Sequence, residues 1–207
     1  MRDIQEYVQD APVVTVFNSP GPEEAVWLAK ILVAEGFPLF EITFRNENAG
    51  ASIRAVVDAV PGAIVGAGTV LTREQGEEAL QAGARFLVSP GFAPPVLELA
   101  REKSVPYLPG VVTPTEIQNA LAEGLRDLKF FPASINGGPT AIAALAAVFP
   151  AVRFMPTGGI SQENLSQYLR IPAVLACGGS FLAPAAAIRD RNAEAILQIT
   201  RSVRELL

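Results

Sequence analysis

The chain has 207 residues, of which 50% are hydrophobic and 18% charged, with 17 glycines and 17 prolines. This composition is typical of one compact α/β domain and excludes a disordered or fibrous protein. The formal net charge of −5 argues against nucleic-acid binding, and the lack of histidine excludes a His–Ser or His–Cys nucleophile pair and a histidine-ligated zinc.

Short apolar runs alternate with amphipathic stretches along the whole chain. Eight runs are predicted strands: residues 13–17, 39–44, 64–67, 86–88, 107–108, 128–131, 154–155 and 174–176. The predicted helices cover residues 2–9, 22–35, 49–60, 72–82, 94–103, 114–123, 139–149 and 161–169, followed by a last helix from about residue 185 to the C-terminus. Strict βα alternation predicts a single-domain (β/α)8 TIM barrel over residues 1–207 with a short N-terminal helix. The alternative is an open doubly wound sheet, although no predicted strand is followed by a complete dinucleotide fingerprint.

The ends and the cysteine content indicate where the protein works. The segment from Met1 to Glu6 lacks the apolar core of a signal peptide, and no apolar run reaches the length of a membrane span. We therefore expect a cytoplasmic protein without a membrane partner. The single cysteine, Cys177, excludes an internal disulfide and is predicted to be a small buried strand residue.

Lysine is rare in this chain, and one lysine lies in a predicted strand. Lys30 and Lys103 belong to amphipathic helices, where a solvated lysine is the ordinary interpretation, but Lys129 lies in an apolar run. An unpaired buried ammonium is costly, so Lys129 either points into the barrel toward a carboxylate or extends to solvent from the strand end. Burial favours the neutral amine, which attacks a carbonyl to form an imine. Lys129 is therefore a candidate Schiff-base lysine.

Glu41 stands in the middle of a predicted strand among large apolar neighbours. Because side chains alternate along a strand, Glu41, Thr43 and Arg45 share the barrel interior, while the residues between them face the helices. Glu41 is the candidate general acid–base catalyst. Arg45 lies at the C-terminal end of the strand, where barrel active sites assemble, and a guanidinium there suits a substrate carboxylate. The alternative is a structural ion pair between Glu41 and Arg45.

Two glycine pairs follow the last two predicted strands, Gly158-Gly159 and Gly178-Gly179, with Ser180 after the second pair. Backbone amides in such turns, leading into helix N-termini, bind anions, and this position in a barrel is a common phosphate site. The alternative is that tight βα turns require glycine. An amine, a carboxylate and an anion site at the same barrel end are the groups that a site for a 2-keto acid requires.

Six motifs at barrel-unit spacing resemble a known family along nearly the whole chain: EITFR at 41–45, VGAGTV at 65–70, SPG at 89–91, KFFPA at 129–133, PTGGI at 156–160 and GGS at 178–180. They resemble the 2-dehydro-3-deoxy-6-phosphogluconate (KDPG) aldolases, which are often also 4-hydroxy-2-oxoglutarate (KHG) aldolases. The resemblance implies a class I aldolase, a lyase that acts on small-molecule 2-keto acids. It implies cleavage of KDPG to pyruvate and glyceraldehyde 3-phosphate, and of KHG to pyruvate and glyoxylate.

The same resemblance assigns roles to residues. It implies that Lys129 forms the Schiff base and that Glu41 transfers protons. It further implies that Arg45 and Thr69 bind the keto-acid carboxylate and that Pro90 and Phe131 form walls of the pocket. The implied phosphate-binding residues are Thr157, Gly158, Gly159, Gly179 and Ser180. Members of the family need no metal or other cofactor and are usually homotrimers.

Two residues near the barrel mouth depart from the family pattern. Ser134 stands where relatives often have an acidic residue, and Phe181 stands where tryptophan is frequent. Two other functions are open from the residues alone. One is a different phosphate-binding barrel enzyme that uses paired acids, and the other is a barrel that binds a phosphate ligand without catalysis.

Overall fold

The protein forms a ring of eight parallel strands surrounded by helices, in a computed structural model that describes residues 4–8 and 11–207. The strands are β1 (Val13–Phe17), β2 (Leu39–Thr43), β3 (Ile64–Gly68), β4 (Leu87–Val88), β5 (Tyr107–Leu108 and Gly110–Val111), β6 (Asp127–Phe130), β7 (Arg153–Pro156) and β8 (Cys177–Gly179). The helices are α1 (Gln5–Val8), α2 (Pro22–Ala34), α3 (Ala49–Ala59), α4 (Arg73–Gln81), α5 (Pro94–Lys103), α6 (Pro114–Ala122), α7 (Gly138–Val148), α8 (Gln162–Leu169), α9 (Ala185–Arg189) and α10 (Ala193–Arg204), with a 3-10 turn at Ser134–Asn136.

Hydrogen bonding runs around the ring from each strand to the next. Every pair from β1–β2 to β6–β7 is parallel, and the two segments of β5, on either side of Pro109, pair with β4 and with β6. β1 also pairs with β8. Isolated bridges from Phe154 to Val174 and from Thr157 to Gly178 join β7 to the β8 segment. The predicted (β/α)8 barrel is therefore confirmed, and the open doubly wound alternative is wrong.

The strands separate two apolar clusters. Phe40 of β2 belongs to the larger cluster between strands and helices, whereas Leu39 belongs to a smaller cluster inside the barrel. Ile4, just before α1, and Val8 of α1 are buried in that inner cluster together with Phe86, which precedes β4. Helix α1 therefore fills the N-terminal end of the barrel, and the interior opens at the other end, where active sites of this fold form.

Most predicted elements are confirmed to within one residue at each end, but the last strand is displaced. Residues 174–176 have the stronger strand propensity, yet β8 begins at Cys177, which is opposite Val13 of β1. Glycine is required in this strand, because a Cβ at Gly178 would lie 2.5 Å from Thr157 Oγ1. Close packing of β8 against Thr157 therefore overrides propensity.

The predicted C-terminal helix is broken into α9 and α10. Arg191, between them, has a φ of 48°, which interrupts the helix. Asn192 then caps α10, because its Oδ1 accepts a hydrogen bond from Ala195 N at 3.0 Å. At the other end of the chain, α1 covers residues 5–8 of the helix predicted over 2–9, and residues 2, 3 and 9 lie outside the described residues.

Among the helices described in residues 4–8 and 11–207, none has both the length and the apolar character that crossing a bilayer requires.

Candidate active site

The centre of the barrel holds a lysine and a glutamate in direct contact. Lys129 of β6 donates a hydrogen bond from Nζ to Glu41 Oε1 of β2 at 2.9 Å. The two side chains are 4% and 0% exposed. Lys129 therefore points into the barrel, and the alternative of a lysine extended to solvent is wrong. Direct contact with a partner of opposite charge offsets part of the cost of burying each group.

Space for Glu41 comes from β3. Gly68 lies opposite Thr43 in the β2–β3 ladder, and a Cβ on it would lie 2.1 Å from Glu41 Oε1. The second carboxylate oxygen, Oε2, is buried and has no hydrogen-bond partner within the described part of the chain. A buried oxygen of this kind is costly to leave unpaired, and such atoms call for an explanation. Oε2 is an available acceptor for a hydroxyl proton.

Arg45 and Thr69 lie together at the C-terminal end of β2 and β3. Arg45 Nε donates a hydrogen bond to Thr69 Oγ1 at 3.2 Å. Thr69 has a φ of 55°, which is unusual for a β-branched residue and marks a held conformation. Within the described residues Arg45 makes no ion pair with Glu41, so that alternative is wrong. Neither terminal nitrogen of the guanidinium has a hydrogen-bond partner among the described residues.

A pocket of about 660 Å³ opens at this end of the barrel. Most of the predicted site residues line it: Arg45, Phe131, Thr157, Gly158, Gly159, Gly179 and Ser180. Lys129 and Glu41 do not line it, but Lys129 Nζ lies 5.1 Å from the centre of the Phe131 ring, which does. The buried pair therefore lies directly behind a wall of the pocket.

The two glycine pairs require glycine for different structural reasons. Gly158 and Gly159 have φ values of 93° and 78°, so the turn before α8 requires residues without a Cβ. Gly178 and Gly179 are instead strand residues, and a Cβ on Gly179 would lie 2.5 Å from the Phe181 ring. The prediction that both pairs form turns after strands is thus correct for the first pair and wrong for the second.

The turn before α8 is held from both sides. Asn164 of α8 donates from Nδ2 to Gly159 O at 2.9 Å and accepts from Ser161 N at 2.9 Å. Ser134 N donates to Gly158 O at 3.0 Å. The backbone of this turn is therefore fixed in advance of any ligand, as an anion site requires. Ser134 and Phe181, the two departures from the family pattern, both contact glycines of the pocket wall.

Besides Lys129 and Glu41, the predicted residues Thr69 and Pro90 lie outside the pocket wall, and several residues that line the pocket were not predicted. Thr69 is connected to the site by its hydrogen bond with Arg45. Pro90 follows β4 and packs against Gly110, because a Cβ on Gly110 would lie 2.0 Å from Pro90 O. Asn18 lines the pocket and was not predicted. Its position immediately after the apolar run of β1, at the end of a barrel where sites form, is the signal that could have identified it.

The single cysteine, Cys177, is not available as a nucleophile. Cys177 of β8 is buried, and burial raises the pKa of its thiol to about 12. At neutral pH it carries almost no thiolate, which is the nucleophilic form. The prediction of a buried structural cysteine is confirmed.

Comparison with known proteins identifies one family along nearly the whole chain. The profile of the KDPG and KHG aldolase family matches residues 4–199. The KHG/KDPG aldolase of Escherichia coli (strain K12) is 45% identical over 194 residues, which cover 94% of this chain and 91% of the relative.

Two solved structures are similar over nearly their whole length. The KDPG aldolase of Legionella pneumophila, with pyruvate captured as a covalent carbinolamine intermediate, has a TM-score of 0.92 and 35% identity, covering 98% of both chains. The 2-keto-3-deoxy-6-phosphogluconate aldolase of Zymomonas mobilis with 3-phosphoglycerate has a TM-score of 0.92 and 36% identity, covering 100% of this chain and 97% of that one.

Proposed function

The chain belongs to the KDPG and KHG aldolase family, and we propose that Lys129 and Glu41 carry out its chemistry. The protein is a class I aldolase that cleaves KDPG to pyruvate and glyceraldehyde 3-phosphate, and it also cleaves KHG to pyruvate and glyoxylate. The observation that carries the residue assignment is the buried contact of 2.9 Å between Lys129 Nζ and Glu41 Oε1. Chain 1–207 acts as one barrel domain.

The first step is formation of the imine. The ammonium form of Lys129 and the carboxylate of Glu41 share one proton. Moving that proton from Nζ to Oε1 produces a neutral amine, which is a nucleophile, and a carboxylic acid, and the net charge of the pair stays zero. The neutral amine attacks C2 of the keto acid, and Glu41 supplies the proton that lets the C2 oxygen leave as water. The product is an iminium bonded to Lys129.

The second step is cleavage of the C3–C4 bond. The iminium accepts the electron pair of that bond, so no metal is needed as an electron sink. Glu41 removes the C4 hydroxyl proton as the aldehyde leaves, and its unpartnered Oε2 is an available acceptor. Glu41 then returns that proton to C3 of the remaining enamine, and water hydrolyses the resulting iminium to release pyruvate and free Lys129.

Substrate anions are held at the two sides of the pocket. Arg45 and Thr69 bind the carboxylate of the keto acid, supported by their hydrogen bond at the end of β2 and β3. Thr157, Gly158, Gly159, Gly179 and Ser180 bind the phosphate, supported by their position on the pocket wall. Phe131, on the pocket wall, bounds the keto-acid end, and Pro90 is assigned a place beside it on the family resemblance alone. Paired acids are not favoured, since Glu41 is the one acidic residue among the buried polar side chains of the described chain.

Self-assembly and location complete the proposal. We expect a cytoplasmic homotrimer, as the family resemblance implies. An exposed apolar surface on α7 supports contact between copies: Val148 is 68% exposed, and no charged residue occurs from Phe130 to Val152.

The residue assignment is tested by comparing two lysine variants in aldol cleavage of KDPG, with pyruvate release as the measurement. Lys129→Ala removes the amine and should lower kcat by at least about 10⁴-fold, because covalent catalysis is lost. Lys103→Ala, on the exposed side of α5, should retain full activity. Substantial cleavage by Lys129→Ala would contradict the assignment.

A further inference from the structure

Asn18 is the first residue after β1, and it lies between the two anion-binding sides of the pocket. β1 is hydrogen-bonded to β2 on one side and to β8 on the other. The loop after β2 carries Arg45, and the end of β8 carries Gly179 and Ser180. Asn18 lines the same pocket as these residues. A substrate that spans from the carboxylate side to the phosphate side therefore passes Asn18.

The backbone around Asn18 is held rigidly. Ser19 is fully buried, and its carbonyl oxygen accepts a hydrogen bond from Asn46 Nδ2 at 2.9 Å. Its hydroxyl donates to Gly21 O and accepts from Ser52 Oγ. These bonds join the loop after β1 to the loop and helix after β2. Asn18 is therefore presented in a fixed position, as a specificity residue must be.

The side chain of Asn18 has a free donor. Thr43 Oγ1 lies 3.4 Å from Phe17 O and 3.5 Å from Asn18 Oδ1, so its one hydroxyl hydrogen is shared between two acceptors. Within residues 4–8 and 11–207, no group bonds to the other end of the amide, Nδ2. The side chain is exposed to the pocket. An Asn amide whose nitrogen has no partner among the described residues, and which lines the pocket, is a donor for a ligand oxygen.

The level of Asn18 in the pocket can be compared with the length of a substrate. Thr43 is two residues beyond Glu41 on the same strand face, so it lies roughly 7 Å nearer the mouth at about 3.3 Å per residue. Three carbon–carbon bonds of about 1.5 Å separate the imine carbon C2 from C5 in an extended chain. With the imine bond to Nζ and the bond from C5 to its oxygen, the C5 oxygen reaches the level of Thr43 and Asn18.

We propose that Asn18 Nδ2 donates a hydrogen bond to the oxygen on the carbon next to the aldehyde carbon of the leaving fragment. This inference rests on the proposed function. It names the substrate oxygen that the pocket recognises in the space between its two anion sites. Glyceraldehyde 3-phosphate carries a hydroxyl on that carbon, and glyoxylate carries a carboxylate there. One donor thus serves both aldehydes, and an aldehyde with a bare methylene at that carbon is disfavoured.

The test uses the condensation direction, with pyruvate and one of two aldehydes. Glyceraldehyde 3-phosphate has the oxygen in question, and 3-oxopropyl phosphate has the same chain and phosphate without it. For Asn18→Ala, we expect kcat/KM for glyceraldehyde 3-phosphate to fall about 5- to 10-fold, the value of one neutral hydrogen bond. The kcat/KM for 3-oxopropyl phosphate should stay within about twofold of the wild-type value. Asn119→Ala, an exposed change on α6, is the matched control and should change neither.

The possible outcomes are distinct. An equal loss on both aldehydes, or no loss on either, overturns the role of Asn18 while the aldolase function stands. Absence of any condensation by the wild-type protein overturns the proposed function together with this inference. Borohydride trapping of pyruvate in Asn18→Ala should equal that of the wild type, because the residue acts on the aldehyde and not on the imine. Weaker trapping in the variant would contradict that role.

Discussion

Lys129 and Glu41 share one buried site, and each side chain compensates the charge of the other. Removing one partner of such a pair leaves an uncompensated buried charge, at a typical cost of about 3–5 kcal/mol. The pair also shares its space with the neighbouring strand, because Gly68 leaves open the volume that Glu41 occupies. The chemistry at this site therefore depends on a glycine that has no functional group.

The first prediction at this scale concerns Gly68→Ala. The new Cβ would lie 2.6 Å from Glu41 Cγ as well as 2.1 Å from Oε1, so Glu41 must leave the position in which it contacts Lys129. We expect a loss of about 1–3 kcal/mol of unfolding free energy from overpacking. We also expect a fall in kcat of about 100-fold or more, because proton transfer depends on the geometry of the pair.

A matched control for Gly68→Ala is Gly21→Ala, since a Cβ on Gly21 would meet only Glu24 Oε2, at 3.0 Å. That carboxylate is the far end of a flexible side chain and can move. Urea unfolding and steady-state cleavage of KDPG are the measurements. If Gly68→Ala kept wild-type kcat, the contact between Glu41 and Lys129 would not matter for catalysis.

Side-chain alternation was sufficient to predict the direction of Glu41. It was not sufficient to predict that Glu41 contacts Lys129, because the two residues lie on strands that are not neighbours and their distance depends on the closed ring. Pro90 illustrates the same limit. Its motif matches the family, but where its ring lies relative to the pocket depends on the path of β4 and β5.

At the scale of single elements, α6 shows how local sequence determines a helix end. Glu116 Oε2 accepts hydrogen bonds from Val112 N at 2.7 Å and from Thr113 N at 2.8 Å. Partial burial raises the pKa of Glu116, but these backbone donors and the Thr113 hydroxyl outweigh that effect, so the pKa lies below its ordinary value of 4.5. The ionised carboxylate therefore stabilises the fold.

This gives a prediction for the pH dependence of stability. A carboxyl whose pKa is lowered by folding contributes stability above its unfolded pKa and loses it as the pH falls through the folded value. Glu116→Gln should therefore cost about 0.5–1 kcal/mol at pH 7, a modest value because the group is mostly exposed. The difference from wild type should shrink as the pH falls below 4.5.

Urea unfolding between pH 3 and pH 8 measures this effect, with Glu98→Gln on the exposed side of α5 as the control. A difference that grew on acidification would contradict the assigned role of the Glu116 carboxylate.

Local signals of this kind made most helices predictable from the sequence, and α5 was predicted to the residue. The signal failed where tertiary packing decides. β8 consists of Cys177, Gly178 and Gly179, which have little strand propensity, and pairing with β1 makes them a strand. The break between α9 and α10 depends on the backbone conformation of Arg191, an arginine that no helix-stop rule identifies.

The whole molecule leaves an apolar surface on one side of the barrel. The exposed side of α7 and the preceding turn, from Ile135 to Val148, carries no charged residue, and Ile135 is 79% exposed. A helix that is apolar on its solvent side is usually buried in an assembly. This surface is where we expect copies of the chain to meet.

The corresponding prediction is that wild-type protein has three times the 21.9 kDa mass of the chain. Val148→Glu should shift the mass toward that of a single chain, because it introduces a charge into the apolar contact. Val57→Glu, at a 39% exposed position on α3, is the control and should leave the mass unchanged. Light scattering coupled to size exclusion is the measurement, and a wild-type protein with the mass of one chain would refute the trimer.

The central claim is that Lys129 forms a covalent imine with a 2-keto acid, and borohydride reduction in the presence of pyruvate tests it most directly. The wild-type protein should gain the mass of one reduced pyruvate per chain, and peptide mass spectrometry should locate it on Lys129. Lys129→Ala should gain none, and Lys103→Ala should be labelled like the wild type. An adduct on another residue, or no adduct on the wild-type protein, would contradict the account.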